Sequence, residues 1–165
     1  MSEVIDLKEL YFLQSQLDET ISRQHHVTYE MTSHERLLAL IVELGELANE
    51  TRCFKYWSTR RNGEKERISD EYADGMHFLL SLGIPLGVKK MSYEIESDRL
   101  SLVESFLLTY KAVVNLIDNY TEKSYTYAYQ CYLNLMPKLD MRVEDVVISY
   151  KKKLAVNYTR QMNSY

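Results

Sequence analysis

The sequence predicts an all-α protein, a bundle of about six helices that forms one domain over residues 1–165. Apolar residues recur at three- and four-residue intervals along most of the chain, and the two-residue alternation typical of β-strands is rare. The 165 residues include only 5 Gly and 2 Pro, which leaves few places for tight turns and favours long helices. No internal repeat, low-complexity linker or shift in composition indicates a second domain.

The first two predicted helices are defined by their apolar faces. A helix near residues 6–22 has one apolar face, on which Gln14 is a polar residue. A second helix should begin at Thr32 or Ser33, which can cap its first turn, and should continue to about Arg52.

The third predicted helix, at about 67–83, is apolar on most of its circumference and should therefore lie at the centre of the bundle. The polar segment 58–66 before it contains Asn-Gly and predicts a mobile loop. Three further helices are expected at about 98–121, 124–135 and 141–163, because apolar residues recur there at helical intervals.

Charge and composition exclude several classes of partner. A net charge of −4 gives no general attraction to nucleic acid or to an anionic membrane surface, so neither is expected as a partner. Cys53 and Cys131 are far apart in sequence and fit neither a disulfide framework nor a zinc knuckle, which favours a reducing compartment. The N-terminus lacks the features of a signal peptide, and no apolar run approaches the roughly 20 residues that span a bilayer. These features predict a cytoplasmic protein with a small-molecule partner.

Two pairs of acidic residues are the candidates for chemistry. Glu43 and Glu46 are three residues apart on the second predicted helix, which places both carboxylates on one face. Glu71 and Asp74 repeat this spacing on the third helix, where Phe78 continues the same face. Because an isolated carboxylate is costly to desolvate, a buried pair should have a cation beside it. Two facing pairs would offer several oxygen ligands, which suits Mg²⁺ or Mn²⁺.

Each acidic pair also has an ordinary structural explanation. Glu43 and Glu46, taken alone, fit a solvated helix face, whereas Glu71 and Asp74 fit salt bridges to lysine or arginine. His77, three residues after Asp74, is expected to point away from it and is not assigned to a metal. The two pairs together favour the metal site more than either pair does alone.

The spacing of these acids, with a polar loop between the pairs, resembles the signature of the all-α nucleoside triphosphate pyrophosphatase superfamily. MazG-like enzymes and dimeric dUTPases belong to this superfamily. The segments that resemble the dimeric dUTPases in particular cover nearly the whole chain: LQSQLD (13–18), CFKYWS (53–58), EYADGMHFLLSLG (71–83) and YKKKLAVNYTRQMNSY (150–165). The resemblance implies a homodimer that hydrolyses dUTP, and dUDP as well, in a Mg²⁺-dependent reaction. Such an enzyme releases dUMP and pyrophosphate from dUTP and limits uracil in DNA.

The resemblance also implies roles for individual residues. Glu43, the first motif glutamate, orients and deprotonates the attacking water and shares the metal with the other three acids. Gln14 matches the glutamine of the family's LQxxLN segment and can offer a donor and an acceptor to the edge of uracil, while Asp18 replaces its asparagine. Lys55 and Trp57 match a third segment and are expected near the nucleotide.

The C-terminal segment contributes a row of polar and cationic side chains. Lys153, Asn157 and Arg160 recur at intervals of four and three residues, so they share one helix face suited to the oxygens of a triphosphate. They match the family's C-terminal motif, as do Tyr150 and Tyr165. A basic last turn that complements the helix dipole would give a similar pattern without a ligand.

Two other functions remain open on the sequence alone. The first is a broader MazG-like pyrophosphatase for other or damaged nucleotides, which would share the acids and differ around Gln14 and Trp57. The second is a non-catalytic helical interaction protein, in which the acids are solvated and the abundant tyrosines form a partner surface. A panel of nucleotide substrates separates the first from dUTP hydrolysis, and a metal titration tests the second.

Overall fold

The computed structural model describes residues 2–60 and 63–164, which form the predicted helical bundle. The described residues contain six α-helices: α1 (Lys8–His25), α2 (Ser33–Thr51), α3 (Lys65–Gly83), α4 (Leu102–Val114), α5 (Glu122–Leu133) and α6 (Val143–Met162). Short 3₁₀ turns follow α4 at Asn115–Ile117 and precede α6 at Pro137–Leu139. The predicted all-α fold class is therefore confirmed. Within these described ranges, no helix combines the length and the apolar character that crossing a bilayer requires.

Local hydrogen bonds explain where two helices begin. α4 starts later than predicted because Ser101 and Glu104 form a capping box, in which each side chain accepts a hydrogen bond from the other residue's backbone N–H. Thr32 occupies the predicted N-cap of α2, but its hydroxyl donates to the Thr28 carbonyl at 2.9 Å and does not cap the first turn. α3 begins at Lys65, so the polar segment before it ends earlier than predicted. Arg61 and Asn62 of that segment lie outside the described residues.

A small antiparallel sheet is the element that the sequence did not predict. β1 (Val4–Asp6) pairs with β2 (Ser92–Glu94), and Ile5 lies opposite Tyr93. Both of these side chains are buried in the core, so the sheet ties the N-terminal segment to the connection between α3 and α4. Strands of three residues are too short for an alternating pattern to be recognised. The first helix starts two residues later than predicted for this reason.

α3 is the central helix of the bundle, as its apolar circumference predicts. It packs against α1, α2, α5 and α6. Tyr72, Met76, Leu79 and Leu80 have no exposed surface. Polar residues of α3 are therefore enclosed by neighbouring helices, where a charged side chain needs a partner.

Three tyrosines of α5 pack against the core and do not form a partner surface. Tyr125, Tyr129 and Tyr132 have no exposed surface. The Tyr132 hydroxyl donates to the Tyr72 carbonyl at 2.8 Å. This approach to α3 requires Gly75, because a Cβ at that position would lie 2.1 Å from the Tyr132 hydroxyl oxygen. The interaction-surface interpretation is therefore wrong for these three tyrosines.

Candidate active site

Three glutamates from two neighbouring helices form an acidic cluster. Glu43 and Glu46 lie one turn apart on α2, and Glu71 lies on α3, which packs against α2. One carboxylate oxygen from each glutamate lies within 4.8 Å of the other two. Negative charges this close repel one another, so the acidic cluster favours either protons or a cation.

The electrostatics of the acidic cluster match a cation site. Glu43 Oε2 is buried and has no hydrogen-bond partner among the described residues. Burial, reinforced by the charges of Asp74 and Glu46, raises the pKa of Glu43 to about 8. Burial and the neighbouring carboxylates likewise raise the pKa of Glu71 to about 7. A divalent ion would remove this repulsion, and carboxylate oxygens are the donors that Mg²⁺ and Mn²⁺ prefer. The residues present therefore fit a divalent metal.

Asp74, the fourth predicted ligand, is paired with a lysine. Its Oδ2 lies 3.0 Å from Nζ of Lys153, a buried residue of α6, and Asp70 Oδ1 lies 2.8 Å from the same nitrogen. Burial raises the pKa of the Asp74 carboxyl, while the hydrogen bond from Lys153 opposes this effect. The salt bridge considered for Asp74 on sequence grounds is thus present, and Asp74 stands outside the trio of closest carboxylates.

A cavity of about 360 Å³ lies beside these acids. Its walls come from α1, α2, α3 and α6 and from the segment between α1 and α2. The predicted site residues that line this cavity are Gln14, Asp18, Glu43, Asp74, Phe78, Asn157 and Arg160. Its volume falls within the range of small-molecule sites, roughly 300–1,000 Å³. The fold therefore brings residues that are distant in sequence to one concave surface.

The amide of Gln14 is fixed by three neighbours at this cavity. Gln14 Oε1 accepts a hydrogen bond from the Tyr150 hydroxyl at 3.0 Å and lies 2.6 Å from Nδ1 of His77. Gln14 Nε2 donates to Asp18 Oδ1 at 2.9 Å. Because a carboxylate can only accept, Asp18 determines which end of the Gln14 amide faces it.

Asp18 is a buried carboxylate with several donors. Besides Gln14, the Ser81 hydroxyl donates to Asp18 Oδ2 at 2.7 Å and the Tyr29 hydroxyl at 2.9 Å. The guanidinium of Arg36 lies 4.6 Å from the centre of the Tyr29 ring and donates to the Ser81 carbonyl. These contacts hold the Asp18 carboxylate in a fixed position at the wall of the cavity.

His77 is a cavity residue whose position was predicted wrongly. It lines the cavity together with Asp74, since residues three apart on a helix differ by only about 60° around its axis. Burial lowers the pKa of His77 to about 4, so the ring is neutral at pH 7. Nδ1 lies 2.6 Å from Gln14 Oε1 and Nε2 lies 3.4 Å from the Tyr150 carbonyl; both oxygens only accept, and the shorter contact favours the ring proton on Nδ1. A polar residue one turn after Asp74 on a buried helix was the available signal.

Tyr29 and Ser81 are further cavity residues that the sequence did not assign to the site. Ser81 continues the helical face of Asp74 and Phe78, so its spacing carried a usable signal. Tyr29 lies between α1 and α2, where no helical periodicity indicates which way its side chain points.

Lys55 and Trp57 are not among the residues that line the cavity. They follow α2, and the Trp57 side chain is 65% exposed. Its ring makes edge contacts with Tyr56 and Phe54, at centroid distances of 5.1 and 6.0 Å. Tyr165, the last residue of the C-terminal motif, lies outside the described residues.

Comparison with known proteins identifies the family. A family model described as dUTPase matches residues 6–165, which is nearly the whole chain. No curated protein matches the sequence. The matched range contains the acidic cluster, the network around Gln14 and the row on α6. The chain therefore belongs to the all-α dUTPase family and is a dUTP diphosphatase, a hydrolase that acts on acid anhydrides.

Proposed function

We propose that the cavity converts dUTP to dUMP and pyrophosphate, with Mg²⁺ held by the acidic cluster and Asp74, and with Mn²⁺ as a substitute. The observation that carries this proposal is Glu43 Oε2, which is buried without a partner among the described residues and is crowded by carboxylates. Burying such an oxygen costs free energy unless a cation or a hydrogen-bonding ligand contacts it. dUDP is proposed as a further substrate on the family resemblance.

The charge of the substrate makes a metal necessary. A nucleoside triphosphate carries about four negative charges at neutral pH, and the carboxyl groups of Glu43 and Asp74 in the cavity wall cannot attract it. A divalent ion held by these acids would supply the positive charge that brings substrate and cavity together and would polarise the phosphate under attack. Glu46 and Glu71 have oxygens close to that of Glu43 and would serve as ligands.

Glu43 is assigned to the attacking water. It is the member of the acidic cluster that also lines the cavity, and its unpartnered oxygen can accept a hydrogen bond from water. A carboxylate within hydrogen-bond reach of a water molecule can act as its general base. Glu43 therefore orients the water and takes its proton, while Asp74 serves mainly as a ligand.

The row on α6 is assigned to the phosphates. Asn157 and Arg160 line the cavity, and Lys153 is paired with Asp74, which also lines it. An amide, a guanidinium and an ammonium on one helix face can donate to several phosphate oxygens at once. Lys153 and Arg160 would neutralise charge that develops on the departing pyrophosphate.

The network around Gln14 supports recognition of uracil. Gln14 Oε1 already faces two donors, and one N–H of Nε2 is used by Asp18, so the remaining N–H can only donate. Asp18 Oδ2 receives two donors and Oδ1 receives one, which leaves Oδ1 a lone pair. A donor beside an acceptor matches the O4 and N3–H of uracil. Cytosine presents the opposite pattern at both positions, so its edge would meet the wrong partner twice.

Other predicted substrate contacts have weaker support. Phe78 lines the cavity and offers an aromatic surface to the base or the sugar. Lys55 and Trp57 stay predictions from the resemblance, because a contact would require the segment after α2 to approach the cavity.

We also propose that residues 1–165 act as one domain and that two copies form a homodimer. α2 and α4 contact each other, and large apolar side chains on them are exposed: Leu38, Val42, Leu107 and Val114. A second copy is a suitable cover for such a surface. Light scattering should give twice the 19.5 kDa mass of the chain. The mass of a single chain would contradict the dimer. The cytoplasmic location stays a prediction from the sequence.

The catalytic proposal is tested by following both products of dUTP with Mg²⁺, with Mn²⁺ and with EDTA. We expect dUMP and pyrophosphate in equal amounts with either ion, and turnover lost in EDTA. Glu43→Gln should abolish turnover while the helical circular dichroism is retained. Glu35→Gln, which changes an exposed acid of the same helix, should retain both turnover and circular dichroism. Full activity in EDTA would contradict the metal site. Substantial turnover by Glu43→Gln would contradict the role of Glu43 as base.

A further inference from the structure

Lys153 is a buried cation shared by two carboxylates. Its side chain is 7% exposed, and Nζ lies 2.8 Å from Asp70 Oδ1 and 3.0 Å from Asp74 Oδ2. The Lys153 ammonium therefore lies between two carboxylates of α3.

The two carboxylates that hold Lys153 have different surroundings. Asp74 is 20% exposed and lines the cavity. Asp70 lies one turn earlier on α3, is 57% exposed and is not among the residues that line the cavity. Only Asp74 is therefore in a position to be drawn toward an ion at the acidic cluster.

We propose that Asp70 is a positioning residue that holds the Lys153 ammonium when Asp74 turns toward a divalent ion. This inference rests on the proposed function, since it requires a metal at the acidic cluster. Asp70 does not contact the substrate and acts only through Lys153. Its effect is to free Asp74 for the ion and to keep the ammonium beside the phosphates.

The physical reason is that a buried ammonium cannot be left without a partner. If Asp74 were its only carboxylate, Lys153 and the ion would compete for Asp74, because breaking a buried ion pair on one side is strongly unfavourable. Asp70 supplies a second carboxylate on the solvent side of the same nitrogen. Asp74 can then change partner while the charge of Lys153 remains compensated.

A double-mutant cycle of Asp70→Asn and Lys153→Met tests this inference, with Mn²⁺ affinity measured by electron paramagnetic resonance in the absence of nucleotide. Asp70→Asn should raise the Kd for Mn²⁺ roughly fivefold, a modest effect because Asp70 is partly exposed. In the Lys153→Met background, the same change should alter the Kd by less than about twofold, since no ammonium remains to be held. Asp70→Glu, which keeps the charge, should recover most of the wild-type affinity.

The outcomes separate this inference from the proposed function. An equal increase in Kd in both backgrounds would show that Asp70 acts on the ion as a distant charge, or by stabilising the fold, and not through Lys153. That result would overturn the positioning role. Failure of the wild-type chain to bind Mn²⁺ would instead overturn the metal site itself. Circular dichroism and melting curves of each variant show that the affinities belong to folded protein.

Discussion

Replacing Glu43 with glutamine should stabilise the metal-free protein while it abolishes catalysis. Glu43 Oε2 is buried and has no hydrogen-bond partner within residues 2–60 and 63–164, and burial together with neighbouring carboxylates raises the pKa of Glu43 from 4.5 to about 8. The folded state therefore binds a proton that the unfolded chain releases, and the wild-type protein loses stability as the pH rises from about 4.5 to 8. Glutamine has a similar volume and cannot ionise, so it removes this loss.

The expected gain is about 2 kcal/mol at pH 8, after allowance for solvent screening at a half-buried site. For a chain of this length, such a change corresponds to a rise in Tm of about 4–8 °C. The gain should nearly vanish at about pH 5, where the wild-type carboxyl is protonated in the folded state.

Thermal melts of Glu43→Gln and wild type in EDTA, at both pH values, measure this effect. Glu35→Gln is the matched control, because it removes an exposed acid from the same helix and should change the Tm little. Added Mg²⁺ should raise the Tm of the wild type more than that of the variant. A Glu43→Gln protein that melts at or below the wild-type temperature at pH 8 would refute the electrostatic reasoning.

Three further changes test the base site and the core. Gln14→Met removes the donor assigned to uracil, so kcat/KM for dUTP should fall roughly 10- to 100-fold while dCTP is affected less; an equal loss for both nucleotides would argue against base reading by Gln14. His77→Phe keeps an aromatic ring but removes the donor that lies 2.6 Å from Gln14 Oε1. Steady-state kinetics should then show a KM for dUTP raised several-fold, and an unchanged KM would contradict the positioning of Gln14 by His77. Gly75→Ala places a Cβ against the Tyr132 hydroxyl and should lower the free energy of unfolding by about 2 kcal/mol in urea titrations, with partial recovery on adding Tyr132→Phe. Wild-type stability of Gly75→Ala would show that Tyr132 moves freely.

Local spacing was enough to predict the helices and one face of the cavity. The interval between Asp74 and Phe78 is one helical turn, so their shared face follows from helix geometry alone. The same reasoning placed Glu43 and Glu46 together on α2. His77 was expected to point away from Asp74, but three residues turn a helix to within about 60° of a full turn, so both side chains face the cavity.

Contacts between distant segments could not be predicted in this way. The pairing of Lys153 with Asp70 and Asp74 depends on how α6 packs against α3, which periodicity does not specify. The donors to Asp18 include Tyr29, which lies between two helices and has no periodic neighbours. Such contacts depend on tertiary packing and become visible only in the folded chain.

The most direct test is a comparison of initial rates of pyrophosphate release from dUTP, dCTP and dTTP with Mg²⁺. The donor and acceptor at Gln14 and Asp18 predict that dUTP is hydrolysed far faster than dCTP, whose edge has the opposite pattern. Thymine shares the edge of uracil, so rejection of dTTP would depend on the space around its methyl group. A rate for dCTP equal to that for dUTP would contradict the uracil site, and no pyrophosphate from any of the three would contradict the proposed reaction.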